Sequence, residues 1–383
     1  VKRLETMPDT EPNRLRRIDA VVKQAEVMFA LGRQAEHVQA LDSIRDLTET
    51  ADPPRRAAWL SWAGFFHSLT GARTEVPIAY CREAVALADL AGLDDMRAFA
   101  ECSLAQVYLF AGNLQEALET GERALQFFES RQNLWWACRA LYQLSPAANA
   151  SGQWKQGLEY CRRALEHGQE MNDLRLKSSG WWRTGSTHIQ RGDFDSGLRC
   201  CEQAFALNPI PFDAAMARGV HGYGLVKAGN LRTGIAELAD AVAWLEKSNL
   251  RYTRSLYTLW LAEGYLRQGQ ERRAQRLLEE ILTTSRERGY RHLEGVAHRV
   301  LGECLTPDDP AGAASHLAEA LRILEEIGSR NEFASTLAAT GGLRRSADNS
   351  DEARQFLERA LAIFETLGTI DGPLRVRGAL AEL

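Results

Sequence analysis

Apolar residues recur along this chain at helical spacing, in paired segments that are separated by a short polar turn. The segment Phe110–Leu125 contains one such turn and the helix after it, and similar segments end at Leu165, Phe205 and Val242. Each turn holds a glycine, and successive glycines are 40, 40, 37 and 40 residues apart: Gly112, Gly152, Gly192, Gly229 and Gly269. A fixed period of this length predicts a repeat architecture whose unit is helix, tight turn, helix.

Small residues keep fixed places around each turn glycine. Five positions after it stand Ala117, Gly157, Gly197, Gly234 and Ala274. Seven positions before it stand Ala105, Ser145, Gly185, Gly222 and Ala262, and twelve after it stand Ala124, Ala164, Ala204 and Ala241. We expect the glycine to take the left-handed conformation that ends the first helix, and the small side chains to let neighbouring helices approach closely.

These residues resemble the tetratricopeptide repeat family, in the pattern of Leu104-Ala105, Tyr108, Gly112, Ala117 and Ala124. The resemblance implies an all-α fold, an α-solenoid right-handed superhelix of about nine TPR-like helix pairs plus a terminal helix, or 19 helices. The family's usual period is 34 residues, whereas this chain runs near 40. That longer period resembles the tandem repeats found C-terminal to ATPase modules of bacterial signalling proteins.

The chain divides into a polar lead-in at 1–13 and a single TPR-like superhelical array at 14–383. We expect the first helix to run from about Arg14 to Leu31 and to close at Gly32, and Pro146 to kink its helix or end it early. Pro209 and Pro211 mark a stretched link between repeats five and six. The segment Thr306–Pro310 replaces the turn glycine of repeat eight, where Asp308 or Asp309 can cap the next helix.

Composition and charge indicate which classes of partner and which cellular compartment to expect. The chain has 46 Lys and Arg against 51 Asp and Glu, a net charge of −5, so we expect no direct binding of nucleic acid. No apolar run is long enough to span a bilayer, so we expect no membrane partner. Seven cysteines without a zinc-type spacing fit reduced thiols in a cytoplasmic protein. A first residue of Val is compatible with a fragment of a longer protein or with an alternative start codon.

No catalytic motif of a nucleotide-binding, hydrolase or metalloprotease type occurs. One set of four residues has side chains of the types that bind zinc: His188, Cys200, Cys201 and His221. Because Cys161 occupies the place of Cys201 in the preceding repeat, that place is read as an apolar packing position rather than a zinc ligand. The sequence therefore predicts no enzyme activity, no cofactor and no metal.

In tetratricopeptide arrays the first helix of each pair lines the concave surface. By that resemblance, the positions about ten, nine, six and three residues before each turn glycine face inward. The predicted partner-binding residues are Arg139, Tyr142, Gln143, Trp182, Arg183, Ser186, Tyr223 and Glu263. Aromatic and Arg side chains favour binding hot spots. The alternative is that the aromatic residues pack between repeats and that Arg183 only extends its charged end to solvent.

The expected function is a non-catalytic protein-protein or ligand-binding module. The resemblance implies the regulatory or sensing C-terminal region of a cytoplasmic bacterial signalling protein. The expected partner is a protein or peptide, with a small-molecule effector as a second type of ligand. The alternatives are a freestanding scaffold or peptide-binding adaptor, and an enzyme that uses the His and Cys set.

Overall fold

The computed structural model describes residues 8–207 and 210–383, and all regular structure in these ranges is α-helical. Twenty helices follow one another: α1 (Glu11–Ala30), α2 (Gln34–Asp42), α3 (Arg45–Glu49), α4 (Pro53–Thr70), α5 (Glu75–Leu90), α6 (Asp94–Ala111), α7 (Leu114–Ser130), α8 (Leu134–Ala150), α9 (Trp154–Glu170), α10 (Leu174–Arg191), α11 (Phe194–Ala206), α12 (Pro211–Lys227), α13 (Leu231–Lys247), α14 (Arg251–Arg267), α15 (Glu271–Arg288), α16 (Arg291–Leu305), α17 (Pro310–Glu326), α18 (Arg330–Ser346), α19 (Ser350–Leu367) and α20 (Asp371–Ala381).

The helices form nine antiparallel pairs and a terminal helix, α20, which confirms the predicted repeat count. The total is one helix higher than expected because the second half of the first repeat is split into α2 and α3. At the break, the Ser43 hydroxyl donates to the Ala40 carbonyl at 2.8 Å, and Ile44 has φ −113° and ψ 5°, outside the helical range. Helix α1 begins at Glu11, three residues before the predicted start.

The turn glycines have the left-handed conformation that the sequence predicts. Their φ angles lie between +74° and +94° from Gly112 to Gly269, and the bond that closes such a turn is seen from the Asp193 N–H to the His188 carbonyl at 2.8 Å. A second set of left-handed residues, at the turns between repeats, was not recognised in the sequence: Gly92, Gln132, Asn172, Asn249, Gly289, Gly328 and Gly368. Three of these seven positions are not glycine. The spacing of glycines in the sequence therefore does not show this second set of turns.

The small residues lie at helix contacts. A Cβ atom added at Gly234 would lie 2.5 Å from the Gly222 carbonyl oxygen, and one added at Gly197 would lie 3.0 Å from the Gly185 carbonyl oxygen. Helices α10 and α11, and likewise α12 and α13, therefore touch backbone to backbone. Ala117 occupies the equivalent place in repeat three and is buried. The small positions thus set the distance between paired helices.

Pro146 does not end its helix, since α8 continues to Ala150. A proline at this position has no N–H to donate to the Tyr142 carbonyl. That carbonyl instead accepts from Nη1 of Arg183 in the next repeat, at 2.9 Å. The cost of the lost helical bond is therefore offset by a charge-assisted bond between repeats.

The other two proline segments lie at helix starts. Helix α12 begins at Pro211, a position where proline is tolerated, whereas Pro209 lies outside the described residues. Helix α17 begins at Pro310 after the predicted cap, with the Gly312 N–H donating to Oδ1 of Asp309 at 2.9 Å.

Successive turns of the superhelix touch each other along a line that we call the seam. The Ile370 N–H donates to the Arg191 carbonyl at 2.8 Å, and the Ser329 hydroxyl donates to the Ala150 carbonyl at 2.8 Å, across 179 residues of sequence. The Phe110 and Tyr252 rings stack with centroids 3.9 Å apart. These contacts close the concave surface of the array into an axial channel. Nowhere in residues 8–207 and 210–383 is a helix both long and apolar enough to cross a bilayer.

Candidate functional site

The axial channel has two connected compartments. The aromatic compartment has a volume of about 200 Å³, and the polar compartment has a volume of about 100 Å³. Since one buried water needs only about 10–15 Å³ measured in this way, both compartments have room for a group much larger than a single water molecule. The two compartments share wall residues and so form one continuous space: Asn149, Ala150, Gln190, Tyr223, Glu263, His292, Arg299 and Glu332.

All eight residues that the sequence analysis selected lie in the wall of the aromatic compartment: Arg139, Tyr142, Gln143, Trp182, Arg183, Ser186, Tyr223 and Glu263. They come from α8, α10, α12 and α14, the first helices of four consecutive pairs. The predicted inward faces are therefore the faces that line the channel. Their role in binding a partner stays a prediction.

Trp182 and Ser179 of α10 are held by a carboxylate of the next repeat. The Trp182 indole N–H donates to Oδ1 of Asp213 at 3.2 Å, and the Ser179 hydroxyl donates to the same oxygen at 2.5 Å. Asp213 is fully buried, and its burial raises the pKa of the carboxyl even though both hydrogen bonds oppose this. Arg175 lies 3.7 Å from Oδ2 of Asp213. This network fixes the indole ring at the channel wall.

Arg183 and Tyr142 form the next part of the wall. The guanidinium carbon of Arg183 lies 4.6 Å from the Tyr142 ring centroid and 4.3 Å from the Trp182 centroid, within cation–π range. Nε of Arg183 is buried without a hydrogen-bond partner. The Tyr142 hydroxyl donates to the Leu176 carbonyl at 2.9 Å, which holds the ring in place. Burial lowers the pKa of Arg183 because it disfavours the charged form.

Arg139 lies opposite an aromatic cluster from the first two repeats. Its guanidinium carbon is 4.7 Å from the Phe29 ring centroid and 5.2 Å from the Phe65 centroid. Phe29 also packs near Phe212 of repeat six, with ring centroids 6.2 Å apart. Burial lowers the pKa of Arg139 to about 10, and the neighbouring Arg175 and Arg183 add to that effect.

Three stacked aromatic rings continue the wall into repeats six and seven. Tyr223 and Trp260 are nearly parallel, with centroids 4.4 Å apart at an angle of 6°, and Tyr257 and Trp260 are 4.8 Å apart at 18°. The Tyr223 hydroxyl donates to Oε2 of Glu263 at 2.8 Å. These contacts bury the polar end of Tyr223 and leave its ring as an apolar surface of the channel.

Arg299 joins three carboxylates where the two compartments meet. It bonds Glu263 at 2.6 Å, Glu303 at 2.8 Å and Glu332 at 3.1 Å, and its side chain is only 9% exposed. Burial alone would raise the pKa of Glu263, but the charges of Lys227, Arg299 and Arg267 and the bond from Arg299 lower it to about 2. Glu263 is therefore a carboxylate at neutral pH.

The polar compartment contains buried groups with unused hydrogen-bonding capacity. Oδ1 of Asn149 and Nε2 of His292 have no partner within the part of the chain that the structure describes. Burial lowers the pKa of His292, which keeps the ring neutral near pH 7. The amide of Asn149 is held from its other end, where Nδ2 donates to Oγ1 of Thr187 at 3.0 Å. Oδ1 of Asn149 lies against Gly157 of α9, where an added Cβ would be 2.5 Å from it, so this oxygen does not face the compartment.

Several residues of the channel wall were not predicted from the sequence. Only some of them stand at a distance from a turn glycine that would have identified them. Phe29 stands three residues before Gly32, so the positional rule applied to repeat one would have found it. Arg299 and His292 belong to repeat eight, which lacks the turn glycine that serves as the reference point. Lys227 stands two residues before Gly229, a position that the rule does not include.

The His and Cys set behaves as separate packing and pairing residues. Nδ1 of His188 lies 3.2 Å from Oδ2 of Asp193, and Nδ1 of His221 lies 2.7 Å from Oε2 of Glu237. Cys201 is fully buried. Over residues 8–207 and 210–383, no group of three or more His, Cys, Asp or Glu side chains has an arrangement that could hold a metal ion.

No family model matches the sequence. No curated protein sequence matches it either. Among solved structures, NprR in complex with its cognate peptide NprX superposes with a TM-score of 0.65 at 13% identity, over 85% of this chain and 91% of that chain. A Rap protein complexed with Competence and Sporulation Factor gives a TM-score of 0.58 at 13% identity, over 92% of this chain and 99% of that chain. Together with the helix pairs and their left-handed turns, these matches show that the chain has a tetratricopeptide-repeat-like, all-α solenoid fold.

Proposed function

We propose that this chain is a non-catalytic binding module that holds a peptide inside its axial channel. The observation that carries the proposal is the continuous space lined by stacked aromatic rings and by polar side chains with unused hydrogen-bonding capacity. Aromatic rings supply contact area at low entropic cost, and convergent polar groups fix the orientation of a ligand. Two proteins of similar fold were solved with a bound factor, one of them described as a cognate peptide, which supports this class of ligand.

We infer that the module serves regulation or sensing in a cytoplasmic bacterial signalling protein. Six of the seven cysteines are buried as free thiols and the seventh is half-buried, which fits a reducing compartment. Binding within a superhelix whose successive turns touch can change how those turns pack, and such a change can be read by another protein or domain.

The test is retention of peptides by the purified chain. A synthetic pool of random hexapeptides is mixed with the protein, the complex is isolated by gel filtration, and retained peptides are identified by mass spectrometry. We expect Ser186→Trp to abolish retention because Ser186 lies in the wall of the aromatic compartment and a large ring there would fill the space. The matched control is Ser350→Trp, at an exposed position at the start of α19.

Both variants are checked by circular dichroism and thermal melting. Equal retention by the Ser186→Trp variant and the unmodified chain would contradict binding inside the channel. Retention that falls equally in both variants would point to a general effect of the added tryptophan and would also count against the proposal.

A further inference from the structure

The channel contains cationic side chains that have no ion-pair partner among the described residues. The guanidinium of Arg139 faces the Phe29 and Phe65 rings and forms no ion pair within the described residues. Arg183 donates to a carbonyl and leaves Nε unpaired. The Lys227 ammonium lies 5.6 Å from the Tyr223 ring centroid and forms no hydrogen bond to the described residues. Each of these half-buried groups lies against an aromatic ring and, in the part of the chain that the structure describes, has no carboxylate in direct contact, although the charges of Glu263 and Asp371 act on Lys227 from a greater distance.

The carboxylates of the channel are already engaged with other cations. Glu263, Glu303 and Glu332 share Arg299, and Oδ2 of Asp371 lies 3.3 Å from Nε of Arg375. The cationic side chains in the walls of the two compartments are Arg139, Arg183, Lys227, Arg267, Arg299 and Arg375, and the acidic ones are Glu263, Glu303, Glu332 and Asp371. The channel is therefore net positive, within a chain whose overall net charge is −5.

Half-buried cations without an ion-pair contact have lost part of their hydration, and an anion that enters the channel offsets that cost. Because the free edge of an Arg guanidinium presents paired N–H donors, it suits a carboxylate. The aromatic rings beneath Arg139 and Arg183 hold these two guanidinium groups from one side. An apolar segment of a ligand can pack against the rings while its acidic group meets the cation.

We propose that the natural ligand is an acidic peptide, with one carboxylate between Arg139 and Arg183 in the aromatic compartment and a second at Lys227 in the polar compartment. This inference rests on the proposed peptide-binding function and adds the charge and the number of anionic groups. Tyr223 lines both compartments, and its ring centroid lies 5.6 Å from the Lys227 ammonium. The ligand would therefore cross the junction of the compartments.

The experiment compares three pools of N-acetylated, C-amidated hexapeptides that differ only at two positions. One pool has Asp or Glu there, one has Asn or Gln, and one has Lys or Arg. Retention is measured by gel filtration and mass spectrometry, and the best peptide is then titrated by calorimetry. We expect the acidic pool to be retained at least roughly tenfold better than the amide pool, since each charge-assisted bond contributes at least about a factor of ten. Affinity should also fall between about 0.05 M and about 0.5 M NaCl.

Variants assign the charge preference to particular residues. Arg139→Gln and Lys227→Gln should each lower the affinity for the acidic peptide by roughly tenfold and should lower retention of the amide pool by clearly less. Arg139→Lys, which keeps the positive charge, should retain part of the preference for the acidic pool over the amide pool. The control is Arg232→Gln, which makes the same charge change at an exposed position on α13 outside both compartments. This control variant should bind the acidic peptide with the same affinity as the unmodified chain.

The outcomes separate this inference from the proposed function. Equal retention of the acidic and amide pools, or preference for the basic pool, would overturn the inference and leave peptide binding intact. If no pool is retained, peptide binding itself is contradicted. In that case binding of 2,6-naphthalenedicarboxylate that is lost in Arg139→Gln would still support the anionic site, and absence of such binding would overturn it as well.

Discussion

Arg299→Gln removes the one cation that contacts Glu263, Glu303 and Glu332. Removing one partner of a buried ion pair costs about 3–5 kcal/mol because the other charge is left uncompensated. Glu303 and Glu332 are 34% and 25% exposed and can regain water, whereas Glu263 is only 8% exposed. We therefore expect the unfolding free energy to fall by an amount near the lower end of that range, about 3 kcal/mol at pH 7.

The pKa of Glu263 gives an independent figure of similar size. Its value of about 2 lies below the reference value of 4.5 for this carboxyl. At 1.36 kcal/mol for each pKa unit, the charges around Glu263 stabilise the fold by about 3 kcal/mol at neutral pH. Lys227 and Arg267 contribute to this sum, so the share of Arg299 alone is smaller.

The pH dependence has a definite sign. In the unmodified chain the folded-state pKa of Glu263 is depressed, so its stabilisation is present above about pH 4.5 and is lost as the pH falls towards about 2. In Arg299→Gln we expect the pKa of Glu263 to rise, because the charge and the hydrogen bond of Arg299 are gone while burial still disfavours the carboxylate. The variant should then regain stability relative to the unmodified chain as the pH falls and Glu263 becomes protonated. The difference in unfolding free energy is therefore largest at neutral pH.

The assay is urea unfolding followed by circular dichroism at pH 7 and at pH 5, with hydrogen exchange of peptides from α14, α16 and α18 as a local measure. The matched control is Arg322→Gln, which removes an arginine that contacts Glu319 and Glu326 but is 55% exposed. Its loss should lower the unfolding free energy far less than the loss of Arg299, because an exposed ion pair contributes little to stability. A similar loss in both variants, or a deficit in Arg299→Gln that grows as the pH falls, would refute this reasoning.

Three further predictions concern the packing of the array. Gly192→Ala should destabilise by roughly 1–3 kcal/mol more than Gly229→Ala in thermal melts, because both glycines have φ above +90° but only at Gly192 would a Cβ meet the backbone N of the terminal helix, at 2.5 Å. Ala124→Leu should destabilise by roughly 1–3 kcal/mol, since Ala124 is fully buried, and a neutral melt would show that this position has spare room. Trp182→Phe should cost about 1 kcal/mol by removing a donor to buried Asp213, and an unchanged unfolding midpoint would argue that this hydrogen bond contributes nothing.

The repeat unit and the inward faces of its first helices could be predicted because each depends on local chemistry. A turn glycine such as Gly112 fixes the end of one helix and the start of the next, so counting backwards from it places Tyr142 or Trp182 on the inner wall. The array closely follows this rule wherever the glycine is present. The fold was therefore accessible from periodicity and turn conformation alone.

What could not be predicted depends on residues far apart in sequence. The pair of Arg299 with Glu303 is local, at i and i+4, but nothing near Arg299 indicates that Glu263 of α14 and Glu332 of α18 also contact it. Pro146 shows the same limit, since its effect depends on whether another repeat can satisfy the Tyr142 carbonyl, and Arg183 does so. Local rules predict the strain that a residue introduces, but only the assembled array shows how it is relieved.

The seam changes how this solenoid should unfold. In an open repeat array each unit touches only its neighbours, so the ends can fray while the middle stays folded. Here the start of α20 bonds to Arg191 and the start of α18 bonds to the end of α8, so repeats about 180 residues apart share contacts. Fraying of the last helices would uncover repeats four and five in the middle of the chain. Unfolding should then be more cooperative than a nearest-neighbour chain allows, and folding slower, because contacts of such high sequence separation form late.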